Sequence, residues 1–345
     1  MHIPDGYLGP QTTIPGFAVM VPAWAVAFKK VKAKLERKNI PTLALCSAFS
    51  FLVMMFNVPV AGGSSAHAVG AVLIAILLGP WAATVSVSTA LLIQALIFGD
   101  GGILSYGINC LNMAVVMPFT GYYLYKLIAG KSKIGSSRNI AASFFGSYFG
   151  LNIAAFCASV EFGIQPLLFQ DAAGHPLYCP YPLSVSIPSM LFAHGMVAGP
   201  IEGILAAAAV TYIARVTPQI FSGNAAPESA GPVSFFQRYR NILIPIIAMI
   251  VLTPLGLIAS GTAWGEWGTD EIKDALGYVP QGLASLSDQW NALMPDYSLP
   301  ALGDGTFGSV AGYLLSAFAG ILLISALIFL MSRLVTKGRK GTGRK

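Results

Sequence analysis

The stretch Lys29-Lys30-Val31-Lys32-Ala33-Lys34-Leu35-Glu36-Arg37-Lys38 follows an apolar run over residues 11–28, and that order decides the fold. A basic block placed behind the first apolar run is the pattern of a retained spanning helix whose charged flank stays in the cytoplasm. A cleaved secretory signal has the reverse order, with basic residues ahead of the apolar core and a small-residue cleavage site after it. Outward from this block, further apolar runs long enough to span, or nearly so, occupy residues 40–58, 67–79, 81–98, 103–128, 139–162, 184–214, 242–260 and 308–332, against the roughly 20 residues that a bilayer crossing needs. Gly79-Pro80 separates the third run from the fourth, because proline disfavours a continuing helix. Nine crossings that start with Met1 outside put the C-terminus in the cytoplasm. Every Lys and Arg except Lys273 then falls on the inner side. The expected fold class is an all-α polytopic membrane protein of about nine transmembrane helices, multi-pass in a bacterial cytoplasmic (inner) membrane.

Composition supports this reading. Of 345 residues 55% are hydrophobic and only 10% charged, and the mean hydropathy is +0.69, whereas soluble domains carry about 25% charged residues. A cytosolic enzyme, a disordered chain and a nucleic-acid binder are excluded, since the net charge of +6 is gathered at a membrane face. Cys46, Cys110, Cys157 and Cys179 show no paired spacing, so neither a disulfide framework nor a zinc-binding CxxC pair is expected.

Two units are expected. Residues 1–216 form a seven-helix body, residues 217–239 a cytoplasmic linker containing Gly223, Pro227, Gly231 and Pro232, and residues 240–345 a two-helix unit. An outside loop at 261–307 within that unit carries Glu266, Asp270, Glu271, Asp274, Asp288, Asp296 and Asp304. Small-residue spacings at Ala23/Ala27 and through Ala206–Ala209 suit close helix contacts.

The chemistry concentrates at the start, Met1-His2-Ile3-Pro4-Asp5-Gly6. A free α-amine followed by histidine offers three nitrogens to one metal: the amine, the His2 backbone amide and the His2 imidazole. The chelate rings are five- and six-membered and favour a plane with one position open. With a large residue second, Met1 is expected to persist. Among His2, His67, His175 and His194, only His67 follows a flexible outer loop, Gly62-Gly63-Ser64-Ser65-Ala66, so it is the expected fourth ligand. Four planar nitrogens suit Ni(II) or Cu(II), whereas Zn(II) prefers a tetrahedron. His175 is read as a surface residue and His194 as an interior one. Glu202 lies mid-segment, where an ionisable group is costly and marks function by default; it either lines a cation path or bonds neighbouring helices. Asn109 and Asn112, three apart on one face, order a second layer around the metal with Ser65 or bond between helices. Gly130-Lys131-Ser132 ends like a phosphate-binding loop, but Tyr125 stands where the first glycine belongs, so the chain does not hydrolyse ATP through such a loop, and any energised transport draws on an ion gradient or another subunit. No catalytic constellation is present; the chain is read as a transport component without a cofactor, and not as an enzyme.

Several motifs in order resemble the NikM/CbiM family, the substrate-binding (S) components of energy-coupling-factor transporters for nickel and cobalt. They are Met1-His2-Ile3-Pro4-Asp5-Gly6-Tyr7-Leu8, Gly62 to His67, Leu77-Leu78-Gly79-Pro80-Trp81-Ala82, Gln94 to Gly102, and Asn112-Met113-Ala114-Val115 with Pro118. Residues 240–332 resemble a fused NikN/CbiN-type unit through Pro254-Leu255-Gly256-Leu257, Gly261 to Gly268 and Pro295-Asp296-Tyr297. The resemblance implies Met1, His2 and His67 as ligands, Ni2+ or Co2+ as the transported ion with nickel favoured, an integral-membrane T component and two cytoplasmic ATPase subunits as partners. Ala66 stands where many members have glycine. The alternative is a stand-alone ion-coupled permease using Glu202 and His194.

Overall fold

A chain in lipid must satisfy its own backbone hydrogen bonds, and the apolar runs of this sequence are helical throughout the computed structural model. The structure describes residues 1–34, 40–222, 234–259, 261–303 and 305–337. Residues 223–233 of the linker, part of the first basic block, Asp304 and the basic residues beyond 337 lie outside the described residues. In chain order the helices are α1 (Pro10–Lys34), α2 (Ile40–Met54), α3 (Ala71–Leu78), α4 (Pro80–Ile93), α5 (Tyr106–Cys110), α6 (Met117–Ala129), α7 (Ser137–Gly163), α8 (Gln165–Leu168), α9 (Leu183–Ala193) and α10 (Gly199–Val216). The fused unit adds α11 (Phe235–Leu252), α12 (Thr269–Leu276), α13 (Gln281–Leu286) and α14 (Thr306–Lys337). A short antiparallel hairpin, β1 (Val58–Val60) with β2 (Ser64–Ala66), pairs Val58 with Ala66 and Val60 with Ser64.

Among the described residues, six helical stretches are long and apolar enough to cross a membrane: Pro10–Ala33, Pro80–Phe98, Ser137–Leu168, Leu183–Val216, Phe235–Ile258 and Thr306–Arg333. The other three expected segments are also helical but are not among the six. α2 has 15 residues and α3 only eight. α3 is cut short because Gly70 (φ 75) precedes it and Gly79 (φ 91) ends it, backbone angles that an L side chain rarely adopts. Pro80 then opens α4 at a position where its missing N–H costs nothing.

α4 is enclosed by its neighbours along most of its length and is built of small residues. Two of its buried hydroxyls are satisfied within the helix, Thr84 donating to Pro80 O and Thr89 to Val85 O. Ser88 Oγ accepts from Trp24 Nε1 on α1, and Ser86 Oγ is buried without a hydrogen-bond partner among the described residues. Three π-helical turns, Gln94–Phe98, Leu111–Val116 and His194–Ala198, interrupt the ladders. Such turns are rare and concentrate at functional sites; these hold Gln94, Asn112 and His194.

The fused unit packs on the body through α14 against α2, where Gly320 meets the Phe51 ring. Its polar segment, residues 261–303 with α12 and α13, folds over the end of the body that carries Met1 and the β-hairpin. Contact there is tight enough to demand glycine: a Cβ on Gly261 would lie 1.7 Å from Gly63 O.

Candidate metal centre

The first five residues run inward as an extended arm instead of projecting from α1. Asn109 holds the arm as a second backbone strand would, its Oδ1 accepting from Ile3 N at 2.8 Å and its Nδ2 donating to Ile3 O at 3.0 Å. Asp5 accepts from the N–H groups of Ile103, Leu104 and Ser105 at 2.8–3.1 Å, which fixes the loop ahead of α5. Burial raises the Asp5 pKa, with those three amides pulling the other way. Gly102 N donates to Ile3 O, and a Cβ on Gly102 would sit 2.0 Å from Asp5 Oδ1. The sequence places glycine there because the arm passes where a side chain would be.

The arm delivers Met1 and His2 beside His67, with exposures of 4%, 1% and 4%. The two imidazoles stack with centroids 5.0 Å apart and 25° between planes. His67 Nδ1 faces Ala68 O at 3.0 Å, so a proton on Nδ1 leaves Nε2 as the ligating nitrogen, the usual way a protein orients a metal-binding histidine. Nε2 of both rings is buried with no hydrogen-bond partner among the described residues, which for buried polar atoms is uncommon and calls for a ligand.

Carboxylates flank the nitrogens. The Met1 ammonium donates to Glu266 Oε1 at 2.8 Å. Asp100 Oδ1 lies 2.8 Å from His2 Nδ1, at ion-pair distance but off the ring's donor direction. Burial opposes the Asp100 charge. The neighbouring His2 and His67 rings and the Tyr297 hydroxyl together outweigh it and hold the carboxyl well below the usual range. Tyr297 donates to Asp100 Oδ2, and Gln94 Nε2 donates to both Asp100 Oδ2 (3.0 Å) and the Tyr297 hydroxyl (2.8 Å). Tyr297 comes from the fused unit, with its carbonyl anchored by Ser316 at 2.9 Å. Asp296 and Tyr297 both have positive φ, 51° and 58°. For a bulky aromatic this is strained backbone, which persists where surrounding contacts over-determine it.

The other residues singled out from the sequence divide clearly. Ser65 is buried in β2, two residues ahead of His67. Asn109 secures the arm, whereas Asn112 donates to Glu161 at 2.6 Å on α7. Glu202 accepts from Val69 N at 2.7 Å and from Gly70 N with both oxygens, at 2.9 and 3.1 Å. Its carboxylate therefore clamps the turn between His67 and α3. His194 Nδ1 faces its own helix at Met190 O, and His175 is exposed beside Asp171. Sequence reading treated Glu266 as one of several loop acids and passed over Asp100 and Tyr297. Their signals were local: Glu266 lies between Trp264 and Trp267, and Asp100 is enclosed by glycines.

His2, His67 and Glu266 each offer a ligand atom, all within 4.8 Å of one another. Two imidazole nitrogens, an amine and a deprotonable amide form a donor set for a late divalent transition metal.

Comparison with known proteins agrees on kind. The family model described as cobalt uptake substrate-specific transmembrane region, CbiM, matches residues 2–220, and a PDGLE domain matches residues 240–337. The fused nickel transport protein NikMN of Rhodobacter capsulatus is 46% identical over 341 residues, covering 94% of this chain and 95% of that protein. The cobalt transport protein CbiM of Ruminiclostridium cellulolyticum is 34% identical over 50% of this chain and 68% of its own length. A crystal structure of a transition metal transporter, 50% identical, superposes with a TM-score of 0.59 over 63% of this chain and 93% of that one. These relatives are named as transport proteins, not as enzymes.

Proposed function

The chain belongs to the CbiM family and is a multi-pass membrane protein of the nickel and cobalt transport class, and from that premise we propose that it captures Ni2+ with Met1, His2 and His67. Nine crossings, with Met1 outside and the C-terminus in the cytoplasm, set the capture site on the outer face of the cytoplasmic membrane. The chain then acts as the substrate-binding component of an energy-coupling-factor transporter, with a T component and two ATPase subunits supplying the energy. Residues 1–216 form the capture body, 217–239 the linker, and 240–345 the unit that assists loading.

One observation carries this reading: two stacked, buried imidazoles, with His2 Nδ1 and His67 Nε2 making no hydrogen bond among the described residues, lie next to the chain's own amino terminus. The amine and amide close a five-membered ring, the amide and His2 Nδ1 a six-membered one, and His67 Nε2 fills the fourth position. His2 Nδ1 exchanges Asp100 for the ion, and the Met1 amine exchanges Glu266. A planar nitrogen set favours Ni2+ over Co2+, and Co2+ stays the alternative cargo. Nothing in the geometry favours a stand-alone permease, because Glu202 and His194 are engaged with backbone groups.

The test is nickel uptake by membrane vesicles holding this chain alone or with its T and ATPase partners. Uptake is expected only in the complete set with ATP. Uptake by the chain alone, driven by an ion gradient, would overturn the assignment.

A further inference from the structure

Glu266 belongs to the fused unit, yet its carboxylate reaches the amino terminus of the body and joins His2 and His67 within the 4.8 Å span of one potential coordination shell. Opposite ligands of one divalent ion, each about 2.0–2.2 Å from it, are separated by roughly 4 Å, so three such atoms need little movement to share an ion.

Glu266 also faces the other way. A cavity of about 270 Å³ opens between the two units, lined by Asp5, Gly101, Gly102, Glu266, Asp288 and Trp290 among others. Asp288 and Trp290 are exposed, while Glu266 stands between this space and the buried histidines. Asp288 at the exposed rim and Glu266 at the Met1 nitrogen therefore mark a path across this cavity towards the centre, the Asp5 carboxylate being taken up by three backbone N–H groups. A cleft lined by one sign of charge concentrates counter-ions and raises association rates. The end of the path has what a surface acidic cluster lacks: nitrogens of His2 and His67 that are nearly inaccessible and have no protein partner.

We propose that Glu266 is the entry ligand: an incoming divalent cation first binds Glu266 together with His2 and His67, and the Met1 amine then replaces the carboxylate to complete the planar set. The inference rests on the Met1/His2/His67 reading. It assigns the fused unit a chemical act, supplying one oxygen to a transient mixed nitrogen–oxygen site. The same contact explains why Glu266 and the Met1 nitrogen are neighbours: they occupy the same ligand position in turn. Transfer then exchanges two atoms 2.8 Å apart and releases one proton from the Met1 ammonium and one from the His2 amide to solvent.

The experiment uses the purified full chain in detergent, with NiCl2 as the probe. Stopped-flow association and equilibrium titration are run on the parent, Glu266→Gln and Asp288→Asn. Glu266→Gln keeps the side-chain shape and is expected to slow association by at least about tenfold, with a much smaller change in Kd because dissociation slows along the same route. The defect is expected to persist at high ionic strength, where screening removes mere steering. Asp288→Asn is expected to slow association only at low salt. An unchanged rate in Glu266→Gln, a defect abolished by salt, or a Kd weakened in full proportion to the rate would each overturn the entry-ligand assignment. A variant with alanine inserted between Met1 and His2 keeps the two failures distinct: normal equilibrium binding there removes the ligand set itself. Lost binding there together with normal loading in Glu266→Gln removes only the entry role.

Discussion

The segment carrying His67 is tied down from within the membrane body, whereas the arm opposite is anchored only from Ile3 and Asp5 onward, and its first two residues are tied to groups that can let go. Glu202 accepts three hydrogen bonds from Val69 and Gly70, and β2 leads directly into His67. The Met1 end is held by one ion pair to Glu266 and the His2 ring by proximity to Asp100. Both carboxylates meet ligand nitrogens, and Glu266 belongs to the fused unit. The difference teaches that, on the proposed ligand set, the His67 half is preformed and Met1 and His2 are left to exchange partners.

The comparison breaks most sharply at the ligands. His67→Ala is expected to lower nickel affinity beyond the roughly 10–100-fold loss typical of removing an outer partner, as read by calorimetry on the purified chain. Next comes the preformed half. Glu202→Leu leaves the Val69 and Gly70 N–H groups buried without an acceptor, at about 1–3 kcal/mol each. A lower unfolding temperature in detergent and weaker metal binding are both expected, with Glu202→Gln intermediate. Full retention of both properties in the leucine variant would show that the clamp does not set the position of His67.

The exchanging half is expected to respond more gently. Tyr297→Phe removes the hydroxyl that donates to Asp100 and is expected to cost about 10–100-fold in affinity without loss of fold. Hydrogen exchange sharpens the contrast: the Val69 and Gly70 amides, and the Ile3 amide that donates to Asn109, should be protected with or without nickel, and Glu202→Leu should expose only the first two. The smallest effect is graded with pH. Ligation needs a neutral imidazole and the loss of amine and amide protons, so protons compete with the ion. Affinity is expected to fall as pH drops, first as the amine and amide protons return and then further as His67 protonates; burial and the neighbouring Met1 ammonium push its pKa well below the ordinary histidine range. Equal affinity at pH 7.5 and 5.5 would rule out this donor set.

Much of this architecture was legible beforehand, and the reasons are physical. Apolar length located the long helical segments, because lipid leaves the backbone few alternatives, but not α12 and α13 in the polar outer segment. The limit appeared at α2 and α3, where sheltered helices need not reach full spanning length. Histidine scarcity brought His2 and His67 together on paper, since only one other outer histidine stood near a flexible loop. Glu266, Asp100 and Tyr297 were not legible in that way: tryptophans and glycines mark two of them locally, but their partners at Met1, His2 and Gln94 are set by packing over long sequence separations. Asn109 and Asn112 show the same boundary. Their shared face was readable, but only packing decides that one holds the Ile3 backbone and the other Glu161. Glu202 was recognised as costly, and the structure resolves its role as a clamp on the His67 turn.

The most direct measurement inserts one alanine between Met1 and His2 and titrates the purified full chain with nickel. Moving the imidazole to third place breaks the three-nitrogen chelate while leaving every helix untouched. Loss of tight binding at one ion per chain, with an unchanged unfolding temperature, is the expected result. Nickel bound at one ion per chain with parental affinity would contradict the assignment of Met1, His2 and His67 as the capture site.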